Sequence, residues 1–136
     1  AAALTNLADV LLAAGRPQES ADAATRALVT ARRTGSERVR AYASTNLGNA
    51  LVALGQEGAV ARHEEALALS RTMGDRHLEG SVLNSLGAAL LGVRDVEGAR
   101  TRHRAALAIA LQLGDSFEEG RAHDGLAACG EATQGA

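Results

Sequence analysis

The chain repeats itself about every forty residues, and that repeat restricts its fold more than any other feature. Thr5-Asn6-Leu7-Ala8 returns as Thr45-Asn46-Leu47-Gly48, then as Asn84-Ser85-Leu86-Gly87, then as Asp124-Gly125-Leu126-Ala127. The leucines are spaced 40, 39 and 40 residues apart. Thr34-Gly35-Ser36, Met73-Gly74-Asp75 and Leu113-Gly114-Asp115 keep the same register, as do Arg26-Ala27-Leu28, Glu65-Ala66-Leu67 and Ala105-Ala106-Leu107. The single-residue slip falls between Gly55 and Leu67, where a turn absorbs it. A unit this short cannot bury its own apolar face, so neighbouring units must pack on one another.

Each repeat reads as two helices. In the first, Leu4, Leu7, Ala8 and Leu11 recur at helical spacing and stop at Gly15. Leu47, Leu51 and Leu54 before Gly55, and Leu83, Leu86, Leu90 and Val93, repeat the pattern. The second helix opens at Pro17, a residue suited to a first helical turn, with Glu19 near the positive end of the dipole. Its inner stripe is Ala24, Ala27, Leu28 and Ala31; the later repeats give His63-Ala66-Leu67-Ser70 and His103-Ala106-Leu107-Ala110. Gly35, Gly74 and Gly114 are predicted to end the second helices, because glycine takes the left-handed cap conformation without a Cβ penalty. Ser116 with Glu119 is predicted to form a capping box opening the last helix.

Composition excludes the main alternatives. Alanine occurs 31 times and leucine 19, whereas the chain has one Tyr, one Phe and no Trp, which rules out an all-β fold. A hydrophobic share of 46% with 22% charged residues is globular usage and not that of a disordered chain. The formal charge is −2, all 14 basic residues are Arg, and neither nucleic acid nor an anionic membrane is expected as a direct partner. The Lys-free, Ala- and Arg-rich usage is that expected of a GC-rich coding sequence. Cys129 is the sole cysteine, so no internal disulfide forms. No apolar run approaches the ~18 residues of a membrane span and no leader pattern opens the chain, so a cytoplasmic location is expected. A chain that opens on Ala is expected to be a segment of a longer protein.

Small residues where helices must approach (Ala8, Gly48 and Gly87; Ser20, Ala59 and Ala99; Ala27, Ala66 and Ala106) give the constellation of an α-hairpin stack. It resembles the tetratricopeptide repeat family in its long form of about forty residues, over nearly the whole chain. The family's early Trp is replaced by Leu4, Ser44 and Leu83, its Tyr by Leu11, Leu51 and Leu90, and its closing Pro is missing. The Gly-Asp between units is similar to the repeat regions of kinesin light chains and of actinobacterial antibiotic-regulatory transcriptional activators. The resemblance implies an all-α fold, a right-handed superhelix of stacked antiparallel helix pairs. The whole chain is then a single domain. Its parts are repeats over 1–35, 36–74 and 75–114, a final helix over 115–129 and a frayed tail over 130–136.

Catalytic patterns are missing. His63-Glu64 has Leu67 where a zincin helix needs its second His. Cys129 and His123 stand about 240° apart around one helix and form no dyad. No phosphate loop or nucleophile elbow occurs, so no enzyme, cofactor or metal is expected. His63 and His103, at equivalent positions, read as packing residues. Arg100, Arg102 and Arg104 point to about 0°, 200° and 40° on a helix and flank the apolar stripe, so they read as a solvated face.

The informative surface is the first-helix face opposite the core. In the first repeat it holds Ala2, Thr5, Asn6 and Asp9; in the second, Tyr42, Thr45, Asn46 and Asn49; in the third, Ser81, Asn84, Ser85 and Ala88. Arg121 and Asp124 begin the same row in the last helix. All four asparagines of the chain lie here, although Asn is a poorer helix former than Glu, Gln or Arg. Stretches 2–14, 42–54 and 81–93 carry one charged side chain, Asp9, in a chain with 14 basic and 16 acidic residues. Two roles fit: an Asn row that reads the main chain of an extended peptide in a concave groove, or a ladder bonding each first helix to the next. The resemblance implies a groove of this kind. The family's carboxylate clamp maps onto Thr5, Asp9, Asn46, Ser81 and Ser85, where only Asn46 matches, so a neutral or weakly charged peptide is expected. The expected function is a non-enzymatic module binding a protein or peptide, including another domain of its parent. A sensor or autoinhibitory role in a transcriptional regulator and self-association through uncapped ends are the alternatives.

Overall fold

The computed structural model describes residues 2–134, and these form seven helices with no strand among them. They are α1 (Ala2–Ala13), α2 (Pro17–Thr34), α3 (Glu37–Leu54), α4 (Ala59–Met73), α5 (Arg76–Gly92), α6 (Val96–Leu113) and α7 (Ser116–Gln134). None is long and apolar enough to cross a membrane. The helices group into two compact units that meet at Met73 and Gly74, α1–α4 and α5–α7. Within each unit every helix packs on the one before it, and the first helices of successive pairs also touch: α1 with α3, and α5 with α7.

The repeated Gly-Ser and Gly-Asp markers mark the turns between helix pairs. Gly35, Gly74 and Gly114 have φ of 75°, 68° and 66°, the left-handed conformation that closes a helix. The next residue then caps the following helix. Ser36 Oγ accepts from Val39 N at 3.3 Å, Asp75 Oδ1 from Leu78 N at 3.0 Å and Asp115 Oδ1 from Glu118 N at 3.1 Å. The cap of α7 is therefore Asp115 and not Ser116. The expected capping box gives way to a simple aspartate cap: Asp115 N donates to Ala110 O, and the Glu118 carboxylate accepts from Asn84 and Arg121 instead. The one-residue slip falls where α4 starts late: it has 15 residues, whereas α2 and α6 have 18.

Small residues bring the helices together. Ala8, Ala24, Ala27, Ala43, Ala66 and Ala106 are fully buried, and Ser20 Oγ donates to Ala8 O at 2.7 Å, joining α2 to α1. Leu28 and Leu67 bury with them, and Leu83 and Leu86 form the largest buried apolar side chains of the second unit. One expected core position is not enclosed: Leu7 is 44% exposed, whereas Leu86 at the same repeat position is buried. Within its unit α1 packs only on α2 and α3, which leaves that flank open. At the other end, α7 is helical through Gln134. Thr133 accepts from Arg100 Nη2 at 3.2 Å and Cys129 is fully buried, so α7 is held against α6. Residues 135 and 136 of the expected tail lie outside the described residues.

One connection departs from its equivalents. Gly15 and Gly55 end α1 and α3 at φ 76° and 65°; at the matching place after α5 stands Arg94, at φ 69°. A residue with a Cβ is disfavoured there by about 1 kcal/mol. Arg94→Gly is expected to stabilise the protein by about 0.5–1 kcal/mol, the larger entropy of an unfolded glycine offsetting part of the gain. Thermal denaturation should show a midpoint higher by a few degrees; a lower midpoint would contradict this reading.

Candidate functional site

The face predicted from the first helices divides into buried ties and open positions. In the first unit Asn46, only 5% exposed, donates from Nδ2 to Thr5 O at 3.0 Å, linking α3 to α1. Thr5 and Thr45 are buried as well. Thr5 was expected to be open because opposite-face counting sets it away from Leu7. The neighbouring first helix covers that flank, so the two residues exchange environments. Asn6 and Asp9 remain exposed, Tyr42 is exposed and Asn49 half-buried, so these four keep an open surface. Neighbouring helices still strip part of the hydration from Asp9, which pushes its carboxyl above the ordinary 3.8. The side chain of Ala2 lies outside the described residues.

The second unit gathers its polar residues into one network. Asn84, 1% exposed, donates from Nδ2 to Glu118 O and Glu118 Oε1, both at 3.0 Å. Its Oδ1 lies 2.9 Å from His103 Nδ1. Two acceptors at Glu118 require the amide nitrogen to face them, so Oδ1 must accept from His103 and the imidazole proton sits on Nδ1. Arg121 Nη1 donates to Glu118 Oε1 at 2.9 Å and Nη2 to Ser85 Oγ at 3.1 Å. Asn84, Ser85 and Arg121, all predicted site residues, are thus brought together, and Ser81 stays half-buried beside them on α5.

Glycines give the His103 ring its place. A Cβ on Gly87 would lie 2.5 Å from Nε2 and one on Gly125 2.3 Å from it, so the imidazole is wedged between α5 and α7. His63 sits likewise on Gly48, where an added Cβ would be 2.7 Å from the ring. The packing role expected for both histidines is what the structure places there. Burial first, and the Arg121 charge second, hold the His103 pKa below the ordinary 6.5.

Above this ring a cleft of about 500 Å³ opens between α5 and α7. Asn84, Ala88 and Leu91 line one side, and Arg121, Asp124, Gly125 and Ala128 the other. These spacings of three and four residues are single helical faces turned toward each other. Sequence reasoning placed Asn84 and Arg121 on this surface but missed Glu118 and His103. The available signal was Gly125, a glycine where the other repeats carry Asn6, Asn46 and Ser85. Among the described residues no group of three or more His, Cys, Asp or Glu could hold a metal ion. No protein-family model matches this chain, and no curated protein matches it.

Two outcomes follow. Asn46→Ala leaves a buried interhelical bond unmade and is expected to destabilise the protein by about 1–2 kcal/mol net of its better helix propensity, while Asn49→Ala changes stability by less than about 0.5 kcal/mol. Equal effects in denaturant titrations would contradict the division between ties and open positions. Because the native state disfavours the His103 imidazolium, stability is retained above pH 6.5 and falls as the pH drops through 6.5 toward the depressed native value. Arg121→Gln removes a repelling charge, so an NMR titration should show the His103 pKa rising; an unchanged or lower value would refute the assignment.

Proposed function

We propose that this chain is a non-enzymatic protein-interaction module that binds an extended peptide or protein segment along its first-helix face. The observation that carries the reading is the open α5–α7 cleft, where apolar walls surround a few oriented polar groups. Asn6, Asp9, Tyr42 and Asn49 offer open polar and aromatic groups on the equivalent face of the first unit. Asn46, which donates to Thr5 O, is assigned to holding that face together, and Thr45 is buried. The finer architecture proposed is the tetratricopeptide-like one, a right-handed superhelix of helix pairs, in which first helices line the concave side. A segment of the same parent protein is an equally suitable occupant, and that is how the module would serve as the sensor or autoinhibitory part of a transcriptional regulator. Self-association has its own observation in the exposed Leu7 and Val10 of α1.

The test is selection of peptides from a displayed random library on the full chain, followed by Ala88→Trp. Ala88 is exposed and lines the cleft, so a tryptophan fills it without disturbing the core. Selected peptides should lose at least about tenfold in affinity, roughly 1.4 kcal/mol, while the circular dichroism spectrum is unchanged. Failure to enrich any peptide, or peptides indifferent to the substitution, would remove the cleft as the binding surface.

A further inference from the structure

The chemistry of the α5–α7 cleft specifies its occupant more closely than a face that pairs with any main chain. The Arg121 charge is already offset by Glu118, which accepts from Nη1, while Nη2 donates to Ser85 Oγ. Asp124, one turn along α7, is exposed to the cleft and has no ion pair or hydrogen bond among the described residues. The uncompensated charge in the cleft is therefore negative. His103 adds a second acceptor. It is 3% exposed, its Nδ1 proton is committed to Asn84, and its Nε2 has no partner among the described residues. A neutral ring with the proton on Nδ1 can offer Nε2 only as an acceptor. Burial and the nearby guanidinium both keep the ring neutral.

We propose that this cleft receives a basic side chain, arginine in first preference, carried by a partner segment. Its N–H groups donate to the Asp124 carboxylate and to His103 Nε2, and its methylene stem lies along Ala88, Leu91 and Ala128. Arginine suits two separate acceptors because its planar fork presents five donors, whereas the lysine ammonium is a compact point charge. An acidic side chain meets the Asp124 carboxylate, while the Arg121 charge that would attract it is already offset by Glu118. A neutral aliphatic one leaves His103 Nε2 unpaired in a drier setting. This inference rests on the reading of the first-helix face as a binding surface.

The test titrates the full ¹⁵N-labelled chain with three blocked pentapeptides of alanine whose central residue is arginine, citrulline or glutamate. Affinities are read from the amide shifts of Asp124 and Gly125, and the His103 ring nitrogens are followed in parallel. The arginine peptide should bind about tenfold more tightly than the citrulline peptide, the loss expected for a charge-assisted hydrogen bond. It should move the Nε2 resonance and leave Nδ1 in place. Asp124→Asn should erase the preference for arginine over citrulline with an unchanged melting temperature. Equal binding of arginine and citrulline, or tighter binding of glutamate, overturns the inference and leaves peptide binding in the cleft standing. Binding of the library-selected peptides with no response to any of these three also overturns it. Silence from both sets overturns the inference and the binding surface together.

Discussion

Close approach between helices is the constraint on which the rest of this structure depends. Alanine, glycine and serine occupy the crossing points, and with side chains this short one helix comes within reach of its neighbour's carbonyl oxygens. Ser20 reaches Ala8 O, Asn46 reaches Thr5 O and Asn84 reaches Glu118 O. Each of these carbonyls has a second lone pair to offer beyond its own helical bond. A leucine at Ala8 or at Gly87 would push the backbones apart and break this reach. Size, more than hydrophobicity, is what these positions select.

The same closeness makes room for imidazole rings in the interior. His63 and His103 lie on Gly48 and Gly87, where even a methyl group would collide with the ring. A buried histidine needs its polar atoms placed, and in the second unit the placement is complete on one side: Glu118 orients Asn84, and Asn84 orients His103. Buried networks of this kind favour one arrangement because each wrong rotamer strands a donor or an acceptor. The far nitrogen of the ring inherits that order. A carboxylate on α7 thus determines, through an amide on α5, what a side chain on α6 can bind.

Charge follows the same division between tied and open. Arg121 and Glu118 neutralise each other in a half-buried pair that also holds Ser85, so they position the network and do not advertise a charge. Asp124, on the next turn, has no such partner among the described residues. In the first unit the corresponding face keeps Asp9 as its sole charged residue, partly desolvated, among polar neighbours that stay exposed.

Much of the fold was legible in the repeat itself. Gly35, Gly74 and Gly114 were readable as helix ends because the left-handed cap is a backbone property of one residue, and Pro17 as a helix start for a similar reason. Local chemistry of this range survives whatever the tertiary context does to it. The misplaced cap at Asp115 shows the limit, since two adjacent candidates, Asp115 and Ser116, differ only in where the preceding glycine leaves the chain. The asparagine row was legible as a set but not in its parts. Counting around one helix gives a direction for each side chain, and it cannot say whether another helix stands in that direction. The helices, their turns and the small residues between them were therefore readable from the chain alone, because those depend on neighbours along it. Packing of one helix on another makes Asn46 and Asn84 ties while Asn6 and Asn49 stay open, and joins Glu118, Asn84 and His103 into one group. Those outcomes depend on contacts 19 to 41 residues apart in sequence, whose partners no local periodicity identifies.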